Sequence, residues 1–235
     1  MLRAAPAALA AALVVALVAA PAASAESLSG EVDFTGKPPT PVKLHREADP
    51  VCARQEGFDE SVLVKDGKLA NVWVHVVAGA PDSRAPANAP AVTVDQKECS
   101  YHPRVQAALI GQTLIATNSD ATLHNVHGYQ GTTTIFNLAQ VNAQAKPINQ
   151  PLEKEGITKL KCDVHTWMRG YIGVNKNPYQ AVTGESGSFK IDLPPGSYTV
   201  EAWHEKLGVK SAQITVEAGK PAKLVFAYDG SEKGS

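Results

Sequence analysis

The sequence carries almost no excess charge of either sign: 22 Lys and Arg stand against 23 Asp and Glu in 235 residues, a formal −1 at pH 7. It has no run of Lys or Arg and no basic stretch interleaved with aromatics, so nothing in it offers nucleic acid an electrostatic footprint. Cys-x2-Cys pairs, phosphate loops, paired carboxylate motifs and a Ser/His/Asp order are all missing, which leaves a hydrolase or a zinc protein with little support. No long helical stripe or fixed-period repeat is present, and past residue 25 no stretch is apolar enough to span a membrane. What is there is a succession of short alternating and β-rich runs separated by turn residues, and the fold class they imply is all-β.

Residues 1–25 hold one basic residue, Arg3, an apolar run from Ala7 to Ala20 and the small-residue ending Ala23-Ser24-Ala25. This is the pattern of a secretory signal cleaved before Glu26. The competing reading, an uncleaved anchor, needs about 20 apolar residues, and the run is short of that. The expectation is an exported protein, periplasmic or extracellular, with no membrane span once the leader is removed. Its cysteine count is odd: Cys52, Cys99 and Cys162. In an oxidising compartment two pair and one has another task. Cys162 has ligand-type neighbours, which makes Cys52 and Cys99 the disulfide candidates, two separate buried thiols being the alternative.

Along the chain, Leu28–Phe34 alternates apolar and polar residues and meets a Gly-Lys-Pro-Pro turn. Residues 41–58 lack periodicity and read as a loop tied down by Cys52, with room for a short helix between 47 and 57. Asp66-Gly67 between β-rich runs signals a hairpin. In 70–77, Val72, Val74 and Val76 share one strand face and Trp73 and His75 the other. Residues 78–90 are loop; strands follow at 91–94, 104–110, 113–117 and 132–137. In 157–162 a period of two puts Thr158, Leu160 and Cys162 on one face, a strand delivering Cys162 at its end. The last fifty or so residues, with Pro194-Pro195-Gly196 as a turn, read as a small antiparallel sandwich.

The chemistry concentrates in Lys161–Gly170. Cys162, His165 and Met168 recur there at three-residue steps. A thiolate, an imidazole and a thioether suit copper far better than oxygen-preferring cations. A zinc half-site or simple core filling are the bland readings of the same residues. The missing imidazole is expected from His124, brought in from a separate strand end. His124, Cys162 and His165 then form a trigonal set of two nitrogens and one sulfur, with Met168 as a weak axial ligand that tunes the potential. His127, three residues from His124, faces the other way on a strand; His45, His75, His102 and His204 read as surface or satisfied histidines.

Leu123-His124-Asn125-Val126-His127 together with Cys162-x2-His165-x2-Met168 resembles the cupredoxins, the small blue copper proteins, and the short ligand loop is most similar to that of amicyanin. The resemblance covers about residues 61 to 174. It implies a Greek-key β-sandwich, one type 1 copper per chain held by His124, Cys162, His165 and Met168, one-electron transfer with redox partner proteins, and no substrate turnover. It also implies that Asn125 ties the two ligand loops together by hydrogen bonding. This chain departs from the family in having Leu123 where a Pro often precedes the first His, and Leu160-Lys161 where an aromatic usually precedes the Cys. Residues 184–228 resemble the transthyretin-like regulatory module found beside carboxypeptidases, through Gly187-Ser-Phe and Leu193-Pro-Pro-Gly-Ser-Tyr. The expected organisation is a leader at 1–25, a cupredoxin-like copper domain at 26–174, the second, smaller sandwich at 175–229 and a flexible tail at 230–235. The functional expectation is an exported carrier of single electrons. The rival is a periplasmic copper-handling or ligand- or partner-binding protein whose metal is structural or cargo.

Overall fold

The alternation seen in the sequence is realised as strands with one face inward. Val92–Lys97, Thr113–Asn118 and Ser188–Leu193 each bury every second residue, the period of a pleated strand. The computed structural model describes Met1 and residues 26–232. Among these residues there are eighteen strands and one 3-10 turn, Cys52–Arg54, and no α-helix. The protein is all-β. The expected leader, Met1 aside, and the last residues of the expected tail lie outside the described residues. No helix among the described residues is long and apolar enough to cross a membrane.

Two packed sheets form the sandwich that carries the candidate site. One runs Thr133–Gln140, His124–Gln130, Gly156–Lys161, Arg169–Asn175 and Val105–Leu109, in that order. The other runs Ile148–Pro151, Thr113–Asn118, Val92–Lys97 and Ser100–His102. Between them lies a core that includes Val94, Leu114, Ala116, Val126, Leu160 and Ile172, and Cys162 and Met168 belong to the same cluster. Both candidate ligands are thus set into an apolar wall.

A second sandwich accompanies the first, but it draws strands from both ends of the chain. Glu26–Phe34 pairs antiparallel with Ser188–Leu193 and parallel with Ala222–Tyr228. Trp73–Ala78 lies between Gln180–Val182 and Gly196–His204. The expected boundary at 174/175 therefore does not coincide with the strand pairing, because residues 26–34 and 64–78 hydrogen-bond with strands that follow it. Leu28, Val32, Leu69, Val74, Val76, Leu193 and Val200 are completely buried in this second core. The Asp66-Gly67 turn forms the expected hairpin, with φ of 51° and 74° and the flanking strands Val64–Lys65 and Lys68–Leu69 paired; both residues are left-handed, as a type I′ turn requires.

Arg169–Asn175 is buried on both faces, since it serves both sandwiches. Ile172 and Val174 face the first core, while Tyr171 packs with Trp73 and Trp203 of the second sandwich. Gly173 is required for this approach, because a Cβ there would lie 2.2 Å from Cδ2 of Trp73. Arg104 reaches across to Glu205, its Nη2 donating to Oε2 at 3.0 Å, in an ion pair whose carboxylate side is 1% exposed.

Candidate metal centre

Period-two burial at the end of Gly156–Lys161 puts Leu160 and Cys162 inward, both at 0% exposure. The chain then makes a tight loop back to Arg169. Cys162 N donates to Met168 O at 3.3 Å and Met168 N to His165 O at 2.9 Å. His165 N donates to Cys162 Sγ at 3.4 Å, a contact that favours the thiolate. These bonds set Cys162, His165 and Met168 on one short loop. His124 starts the neighbouring strand His124–Gln130 with its ring inward.

The three donors converge. His124 Nδ1 and His165 Nδ1 are 2.9 Å apart, and Cys162 Sγ stands 4.0 Å from the first and 3.8 Å from the second. Ligands bound to one small ion at about 2.0–2.3 Å can be at most about 4.6 Å apart; all three separations meet that condition. Met168 is 1% exposed and lies in the same buried cluster as Cys162.

The far nitrogens decide what the near ones are. His124 Nε2 is 2.9 Å from Asp120 Oδ2, and His165 Nε2 is 2.9 Å from Asp49 Oδ2. An ionised carboxylate only accepts, so each Nε2 carries the hydrogen, and a neutral ring then presents a bare lone pair at Nδ1. The two Nδ1 atoms and the Cys162 sulfur face one another in a site closed to water, a donor set that can hold a cation. In the metal-free site the group that most readily holds a proton is His124. Burial works against charging this ring, but Asp120 and the Cys162 thiolate outweigh it and raise His124 to about 9. Burial likewise pushes the Cys162 thiol up, and hydrogen bonds from His124 and neighbouring N–H groups more than reverse this. Burial, with the charge on His124 behind it, holds His165 below the usual imidazole value.

Asn125 sits where two loops meet. Its Oδ1 accepts from Asp163 N at 2.7 Å, while its Nδ2 donates to Asp163 Oδ2 at 2.8 Å and Asn137 Oδ1 at 2.7 Å. Cys52 and Cys99 form a disulfide, and Cys162 is the free cysteine. His127 points away from the three donors and meets Asp163, Tyr129 and Thr134. His45 and His102 are exposed. His75 and His204 are buried rather than superficial: His75 stacks on Trp73 at 3.5 Å between ring centres, and His204 Nδ1 accepts from the N–H groups of Lys206 and Leu207. Asp49 and Asp120 join the site without a motif to mark them in the sequence. Asp120 precedes His124 by four residues, a weak signal, whereas Asp49 is 116 residues from His165 and no local pattern links them.

No protein-family model matches the chain, and no curated protein matches it. Among solved structures the chain is similar to a purple cupredoxin from Nitrosopumilus maritimus, at 24% identity over 37% of this chain and 100% of that one, with a TM-score of 0.32. It is similar to amicyanin from Paracoccus versutus at 20% identity, over 43% of this chain and 97% of that one, TM-score 0.33. A copper-containing nitrite reductase from Thermus scotoductus is similar at 21% identity over 43% of this chain but 25% of that one, TM-score 0.34. Of these neighbours one is described as a cupredoxin and one as copper-containing, and each match covers under half of the present chain.

Proposed function

We propose that the chain is an exported protein that holds one copper ion as a type 1 centre and passes single electrons between redox partner proteins, without substrate turnover. His124, Cys162 and His165 would hold it, with Met168, buried in the same cluster as Cys162, as a further ligand. The observation that carries this reading is the convergence of two imidazole nitrogens and a cysteine sulfur within 4.0 Å of one another. Donors of this softness select copper over calcium, magnesium or manganese. Copper bound there supplies one-electron exchange between Cu(I) and Cu(II).

The chain's own residues set the conditions for that exchange. The loop bonds from Cys162 N to Met168 O and from Met168 N to His165 O hold the donors nearly fixed, which keeps reorganisation small. Exposure of 0% for His124 and Cys162 and 2% for His165 excludes water, and supports an electron carrier over an enzyme that must admit a substrate. Leu123 and Val164, each adjacent to a ligand in sequence, are 40% and 52% exposed; apolar side chains there suit the docking of a partner protein. Residues 175–229, whose strands pair with Glu26–Phe34 and Trp73–Ala78 in the second sandwich, are proposed as a transthyretin-like module with a structural or docking role.

Voltammetry of the copper-loaded protein separates a carrier from a protein that handles copper as cargo. The expected result is a reversible one-electron wave that persists over repeated cycles at constant copper content. Copper lost on cycling contradicts the carrier reading and favours the cargo one.

A further inference from the structure

Each candidate ligand histidine is backed by an aspartate, and both aspartates are locked by backbone next to one half of the disulfide. On the His165 side, Asp49 Oδ1 accepts from Val51 N at 2.7 Å and Cys52 N at 3.2 Å, and Asp49 Oδ2 accepts from Thr122 Oγ1 at 2.7 Å as well as from His165 Nε2. On the His124 side, Asp120 Oδ1 accepts from Glu98 N at 2.8 Å, and Oδ2 accepts from Cys99 N at 2.8 Å and from His124 Nε2. The Cys52–Cys99 bond joins these two turns, and Cys52 Sγ is 3.7 Å from His165 Nε2.

The turn at Glu98-Cys99 shows how firmly this is built. Both residues are left-handed, with φ of 54° and 53°, in the two-residue connection between paired Lys97 and Ser100. Glycine and asparagine favour that conformation; Glu and Cys do not, and they hold it only where the surroundings over-determine it. Those surroundings are the Asp120 carboxylate on both N–H groups, the disulfide, and Arg46, whose Nη1 donates to Glu98 O at 3.0 Å. Arg46 is itself 6% exposed, in a strap whose ends meet where Leu44 N donates to Gly57 O and Asp59 N to Val42 O.

We propose that Asp49 and Asp120 are the positioning residues of the metal centre: they fix the tautomer and orientation of His165 and His124 so that both Nδ1 lone pairs point at the ion, and they raise the basicity of both rings. This rests on the copper reading above. Carboxylates behind ligating histidines set metal affinity in this way, and here one serves each imidazole.

The test is copper affinity by competition with a chromophoric chelator, for the wild type, Asp49→Asn, Asp120→Asn and Cys162→Ser, alongside the thermal midpoint of each apoprotein. Asparagine keeps the shape and an acceptor oxygen but not the charge. Roughly 10- to 100-fold weaker binding is expected in each aspartate variant, with a shifted thiolate-to-copper band and Cys162 still required. Asp49→Glu, which restores the carboxylate, is expected to recover part of the loss. Copper affinity and band position equal to wild type in both asparagine variants overturn the inference, while Cys162-dependent binding in the wild type leaves the copper reading standing. Wild-type protein that binds no copper, or binds it equally with Cys162→Ser, overturns both.

Discussion

At the scale of single residues the centre is defined by where protons sit. Asp49 illustrates the consequence for stability. Burial pushes its carboxyl upward, but hydrogen bonds from Thr122, Val51 N, Cys52 N and His165 bring it down to about 2 from an ordinary 3.8. A group whose folded value is depressed stabilises the fold above its unfolded value and loses that contribution as pH falls through the folded one. Denaturant unfolding of the metal-free protein is therefore expected to show wild type more stable than Asp49→Asn above about pH 4, with the gap closing toward about pH 2. A gap independent of pH contradicts the ionised hydrogen-bonded carboxylate. Asn125 makes a similar case for neutral groups. Asn125→Ala leaves Asp163 N without its acceptor, and urea unfolding is expected to report a loss of roughly 1–3 kcal/mol.

At the scale of elements the ligand loop, the strap and the hairpins were unequally legible in the sequence. The Cys162–Met168 loop was readable because its donors are three residues apart and period-two burial fixes which way Cys162 faces. The Asp66-Gly67 hairpin was readable because few residues accept two successive left-handed conformations. Residues 41–58 read as an aperiodic loop tied down by Cys52, and they are one, but their reach over His165 was invisible. It depends on the Asp49 contact and the buried Arg46, neither of which leaves a periodic trace. The partners of Glu26–Phe34 were equally hidden, since alternation names the buried face of a strand and not its neighbour. The strap also carries a prediction. Its disulfide closes a separation of 47 residues, and a loop of that length constrains the unfolded chain by about 4 kcal/mol on the chain-entropy model. Cys52→Ala/Cys99→Ala is expected to lose stability of that order in denaturant unfolding, and to bind copper more weakly because both aspartate turns are released. An unchanged unfolding midpoint contradicts this.

At the scale of the whole molecule two sandwiches share one strand's outer face and one buried ion pair. Arg104→Met leaves the Glu205 carboxylate buried without its partner, for which a cost on the order of 3–5 kcal/mol is expected in calorimetry or chemical unfolding. Acid acts on the second sandwich through His75 and His204, which burial holds neutral down to about 4. Unfolded, each takes up a proton near 6.5, so the fold is expected to lose stability as pH falls from about 6.5 toward 4, and His75→Phe is expected to flatten that slope. The strand exchange between chain ends means that the second sandwich cannot form from residues after 174 alone. These features frame the three converging donors, and the proposed function depends on copper binding there. The most direct measurement is a copper titration of the purified protein followed by visible absorption and metal content. A type 1 centre gives one copper per chain and an intense visible thiolate-to-copper band with oxidised copper, lost in Cys162→Ser; a colourless protein that retains no copper overturns the proposed function.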